Sequence, residues 1–142
     1  MIKMIDIGIK KATAFCMSGK ITESDMSLVL SDAKTKIDLY GKIVIYEEIQ
    51  SFKGIELSAI VDEFKYLFNV GISNIKKAAV VTDKGWVQKI VKIEDKIFKN
   101  IEMKCFSIEE KKLAIEFLTY CVDPKEINAE YIKIGGVDTI LC

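Results

Sequence analysis

Thr82-Asp83-Lys84-Gly85-Trp86 stands where a buried strand-like run, Ala78 to Val81, gives way to a helix-like one, and it carries the chain's only tryptophan. Such a corner lies past the carboxyl end of a parallel strand, where open α/β sheets tend to bind ligands. Asp83 is suited to cap the helix, and the free backbone N–H groups of its first turn could receive an anion. Lys84 opposes the helix dipole there, a hint that it faces an anionic group. With one glycine and no G-K-[ST], the corner is not a phosphate loop. Its simpler reading is a solvated Lys84 with Trp86 plugging the end of the sheet.

A second candidate is the helix expected over 57–70, where Phe64, Tyr66 and Phe68 add aromatic surface to an apolar stripe. Together with Trp86 and with Phe52 in the preceding loop, they could line a cavity for an acyl or other apolar ligand. The same spacing equally describes plain core.

Other chemistry is bounded by what the chain lacks. Its 142 residues contain no histidine, and all 21 basic residues are lysine. A Ser-His-Asp or Cys-His set is thereby excluded, as is an imidazole zinc site. No arginine fork is present to grip phosphate or carboxylate. The four cysteines, Cys16, Cys105, Cys121 and Cys142, are too scattered for a thiolate metal site and are expected to be reduced. Neither a metal nor a cofactor is expected. Neighbouring Glu47 and Glu48 point to opposite faces of a strand and cannot act as an acid/base pair. The runs Lys10-Lys11, Lys76-Lys77 and Lys111-Lys112 read as solvated edges. Lysines balance acids at 21 each, so no net field favours nucleic acid.

The elements that must position these residues follow from apolar periodicity. Strands are expected over 2–9 and 12–18, joined at Lys10-Lys11, and over 42–49, 77–82 and 101–106. Thr22 caps a first helix whose stripe is Met26, Val29, Leu30, Ala33, Ile37 and Tyr40, with Gly41 as its stop. Helices are also expected over 57–70 and 85–98. Ser107 and Glu110 form a capping box before a last helix that turns Ala114, Phe117 and Leu118 inward. Helical connections imply parallel strand pairs. The fold expected is α/β, a mixed sheet of about five strands with an antiparallel hairpin at its start and about four helices.

One compact domain, 1–120, should be followed by a C-terminal extension, 121–142, whose two short strand-like runs around Gly135-Gly136 suggest a hairpin. That hairpin would dock on its own or a neighbouring chain, which raises a homodimer. No apolar run reaches the roughly 20 residues that span a bilayer, and no signal-peptide pattern opens the chain. It reads as a cytoplasmic protein.

The words "SGKIT" (Ser18 to Thr22), "FKG" (Phe52 to Gly54), "DEFKY" (Asp62 to Tyr66), "KKAAVVTDKGW" (Lys76 to Trp86) and "MKCFSIEE" (Met103 to Glu110) occur in this order. Together they resemble the SpoIIAA-like family of small bacterial proteins, related to STAS and CRAL-TRIO domains. The resemblance covers the chain up to about Tyr120. It implies a STAS-like fold without catalytic activity, and a role in binding an apolar or amphipathic ligand or in peripheral association with a membrane. The alternative it carries is a STAS-type protein-interaction module in signalling. Signalling members bear a phosphorylatable serine at the start of the helix after the central strand. Ser58, the nearest hydroxyl, lies beyond that place, so the pattern is not matched.

Overall fold

The computed structural model describes residues 1–55, 72–83 and 101–120. The helices expected over 57–70 and 85–98 and the extension 121–142 lie outside the described residues.

Strands β1 (Ile2–Met4), β2 (Ala12–Met17), β4 (Ile43–Ile49), β6 (Ile75–Val81) and β7 (Glu102–Phe106) form one sheet in the order β1-β2-β4-β6-β7. β1 runs antiparallel to β2, and every other pair is parallel. The mixed α/β sheet is therefore the one expected. A second ladder, β3 (Lys20–Ile21) with β5 (Gly54–Ile55), was not anticipated. Two residues per strand are too few to show a period in the sequence.

The first strand stops at Met4 rather than running to Ile9. Gly8 sits at φ 81°, and the Asp6 carboxylate accepts its N–H at 2.8 Å. A side chain bonding its own backbone two residues on makes a turn that competes with the ladder. Ile7 and Ile9 are still buried, but as loop residues.

Helix α1 (Glu23–Tyr40) begins at Thr22, whose hydroxyl accepts the Asp25 N–H while the Asp25 carboxylate accepts the Thr22 N–H at 2.9 Å. Gly41 ends it at φ 77°, with its N–H donated to the Ile37 carbonyl. Val29, Leu30 and Ala33 turn to the sheet as expected, with Met26 and Ile37 half-buried beside them. Helix α2 (Lys111–Thr119) covers the opposite face, where Ala114, Ile115 and Leu118 are buried. Ile115 joins the inward set named from the sequence, so α2 buries a broader face than that stripe.

Strand alternation divides the core. On the α1 side lie Phe15, Met17, Ile43, Ile45 and Val80; on the α2 side lie Ala14, Val44, Tyr46, Ala79, Val81 and Phe106. β4 is buried on both faces, as its Ile43-Val44-Ile45-Tyr46 run predicts.

Expectations for Lys77, Lys111 and Cys16 also need correction: Lys111 is not a solvated edge residue but is ion-paired with buried Glu48. Lys77 is not a solvated edge residue but is 7% exposed, beneath α2. Cys16 is disulfide-bonded rather than reduced. Spacing along the chain says nothing about which thiols become neighbours in space. Cys105 carries a free thiol and is half-buried.

Candidate functional site

The carboxyl ends of the parallel strands β4, β6 and β7 meet the entry to α2, the edge expected to hold a ligand. Burial there begins with β4. Tyr46 and Glu48, two residues apart, share the α2 face, and both are fully buried. A carboxylate removed from water needs a countercharge and filled lone pairs. The Glu48 Oε1 lies 2.8 Å from the Lys111 ammonium, and its Oε2 accepts a 3.3 Å bond from the Tyr46 hydroxyl. Lys111 is the first residue of α2, where a cation opposes the helix dipole. Its place is explained by Glu48.

Asp83 closes the same edge from β6. Its Oδ1 accepts the N–H of Ile108 at 3.2 Å, in the 3₁₀ turn Ile108–Glu110 that leads into α2. The Glu110 carboxylate accepts the Ser107 N–H at 3.0 Å, the bond expected of the capping box. Thr82, fully buried, donates its N–H to the Phe106 carbonyl at 2.9 Å.

The far end of α2 is held by Lys77. Its ammonium donates to the Phe117 carbonyl at 3.0 Å, lies 4.4 Å from the centroid of the Phe117 ring, and approaches Glu102 at 3.7 Å. Acids from the sheet thus meet the amino end of α2 and a lysine from the sheet meets its carboxyl end. That arrangement follows the helix dipole.

Of the residues singled out in the sequence, Asp83 is engaged with the turn before α2. Phe52 is half-buried against the α1-side cluster of Phe15, Met17, Ile21 and Ile49. The two are not brought together. Lys84, Trp86, Phe64, Tyr66, Phe68 and Ser58 lie outside the described residues. Glu48, Lys77 and Lys111 were not chosen from the sequence. A signal was present for Glu48, since an acid two residues after Tyr46 in a strand buried on both faces must be paired.

At the opposite end of β2, the loop after β1 and helix α1 enclose a groove of about 440 Å³. Ile5, Ile7, Ile9 and Ala12 line it together with the polar Asp6, Lys10 and Lys36. Lys36 is oriented by a 2.6 Å bond to the Ala12 carbonyl and a 2.7 Å ion pair with Asp32. Lys10 is exposed.

Burial pushes the Cys105 thiol up from its ordinary range. The main-chain bond at Phe106 works against that rise and the Glu110 carboxylate adds to it. A thiol so placed is a poor nucleophile at neutral pH. Among the described residues no group of three metal-ligating side chains gathers, and no helix is long and apolar enough to cross a membrane.

The SpoIIAA-like family model matches residues 13–119. The chain belongs to the SpoIIAA-like family. Among solved structures, this SpoIIAA-like chain is similar to an uncharacterised protein of the DUF3478 family with a SpoIIAA-like fold, from Shewanella loihica PV-4. The two are 24% identical, with a TM-score of 0.63, over 82% of this chain and 93% of that one. At that identity the likeness speaks for the fold. No curated protein matches.

Proposed function

We propose that this SpoIIAA-like chain is a non-catalytic binding module for an apolar or amphipathic small molecule. The groove beside β2 carries the reading. Ligand sites are concave, mostly apolar, and fixed by a few polar groups. Ile5, with the edges of Ile7 and Ile9, offers apolar contact, and Lys10 and Lys36, beside Asp6, are the cations that an anionic headgroup would meet. The charged groups at the other edge support binding rather than chemistry. Glu48 is committed to Lys111 and Tyr46, and Asp83 to the Ile108 N–H.

The test is a titration of isotope-labelled isoleucine methyl groups with decanoate and with a single-chain phospholipid below its micelle concentration. Shifts centred on Ile5, Ile7 and Ile9, with a matching adduct in the native mass spectrum, are expected. Unmoved methyls and a bare mass with both probes would end the proposal. Reversible attachment to a membrane is an extension of it, checked by co-sedimentation with anionic vesicles.

A second reading, a STAS-type protein-interaction module, is favoured by the outer side of α2. Leu113 is 51% exposed, and Tyr120, seven residues on and so on the same side, is 85% exposed. Recovery of one protein from cell extract by the wild type, lost in Leu113→Ser and unaffected by decanoate, would favour this reading over the first.

A further inference from the structure

Among the described residues β7 lies at the edge of the sheet, paired with β6 alone. The Phe106 carbonyl accepts from Thr82 of β6. By the alternation of a β-ladder, the even-numbered residues of β7 turn their main chain to β6, and Met103 and Cys105 turn theirs outward. An edge with outward N–H and C=O groups is a template for another strand. A lone lysine on such an edge usually repels one. Here the side chains alternate in a different way: Glu102 and Lys104 are both exposed on the α2 face, and Met103 and Cys105 are half-buried on the α1 face.

We infer that β7 is a dimerisation edge whose partner is β7 of a second copy of this chain. A closed pair of identical chains is two-fold symmetric, which makes the two strands antiparallel. The symmetry axis must pass a residue that faces its own copy. An axis at Glu102 or Lys104 sets like charges against each other, and one at Phe106 leaves most of the strand unpaired, so Met103 and Cys105 remain. An axis at Cys105 sets Lys104 against Phe106. An axis at Met103 sets each Glu102 against Lys104 of the second copy, twice, with Met103 against Met103 and Ile101 against Cys105 on the other face. The charges select Met103. Glu102 and Lys104 then form the non-hydrogen-bonded pairs of the ladder, in which side chains are closest and opposite charges favour pairing. The sheet continues from one copy into the next.

Sedimentation equilibrium on the full chain tests this. A dimer is expected at about 100 µM, a range in which small interfaces are populated. Lys104→Glu leaves the Glu102 contact with Lys77 in place and sets like charges opposite each other, so the dissociation constant should rise at least about tenfold. Glu102→Lys combined with Lys104→Glu exchanges the charges and should restore association, with thermal unfolding confirming that both variants fold. The inference is overturned by a wild type that stays monomeric over this range, by a dimer indifferent to Lys104→Glu, or by a double variant as weak as the single one.

Discussion

The Glu48 carboxylate, 1% exposed at the carboxyl end of β4, is held 2.8 Å from the ammonium of Lys111 on the first turn of α2. Removing Lys111 takes from the buried Glu48 carboxylate the countercharge that holds it out of water. Lys111→Met is therefore expected to destabilise the protein by about 3 kcal/mol, measured by urea unfolding. Replacing both, Glu48→Met with Lys111→Met, should recover most of that loss, since apolar residues of similar volume substitute well for a buried pair. A loss below about 1 kcal/mol in the single variant would contradict the structural weight given to this contact.

Lys77 secures the other end of α2 through the Phe117 carbonyl. Lys77→Met keeps the apolar stem and removes the donor, at an expected cost of about 2 kcal/mol. Hydrogen exchange should locate the loss. The amides of the last turn of α2 should lose protection before those of β4, and uniform loss across the sheet would contradict the local role.

Asp25 gives stability a pH dependence. Burial alone would raise its pKa, but N–H bonds from Thr22 and Ile2, the Thr22 hydroxyl and the N-terminal ammonium bring it below the ordinary carboxylate range. A folded pKa below the unfolded value means that the contribution is present above about pH 4 and is lost as pH falls through the folded value. Asp25→Ala should cost about 1–2 kcal/mol at pH 7. The gap to wild type should narrow steadily below pH 4, and a gap constant from pH 7 to pH 2 would rule the carboxylate out.

The raised Cys105 thiol is slow to react at neutral pH. Iodoacetamide labelling of Cys105, followed by peptide mass spectrometry, should be several-fold slower at pH 7 than that of free cysteine, whose pKa is about 8.5. The rate should still be climbing at pH 9. Labelling that levels off by pH 8 would refute the shift.

Local features were legible from the sequence because their causes are local. Thr22 and Gly41 bound α1 through bonds made within a turn of the helix, and Ser107 with Glu110 does the same ahead of α2. The run Ile43-Val44-Ile45-Tyr46 could only be a strand buried on both sides. The end of β1 was misjudged because Ile5, Ile7 and Ile9 alternate as a strand does, while the Asp6 and Gly8 turn, a bond across two residues, overrides that period.

The candidate site was less legible. Asp83 was chosen as a cap for a helix that lies outside the described residues, and its bond from the Ile108 N–H, between the end of β6 and the turn before α2, had no signal in that spacing. The buried run before Glu48 signals that this acid needs a partner, but Lys111 looks like an ordinary surface charge in one dimension, and only the docking of α2 on β4 joins them.

Composition, periodicity and capping by themselves determined an α/β body without histidine chemistry, because those signals are carried by residues within a few positions of one another. Which lysines leave water, which acids hold them there, and that a groove opens between the loop after β1 and α1 were decided by tertiary structure. Each depends on contact between segments far apart in the chain, and burial makes such a contact decisive by removing the solvent that would otherwise satisfy either charge alone.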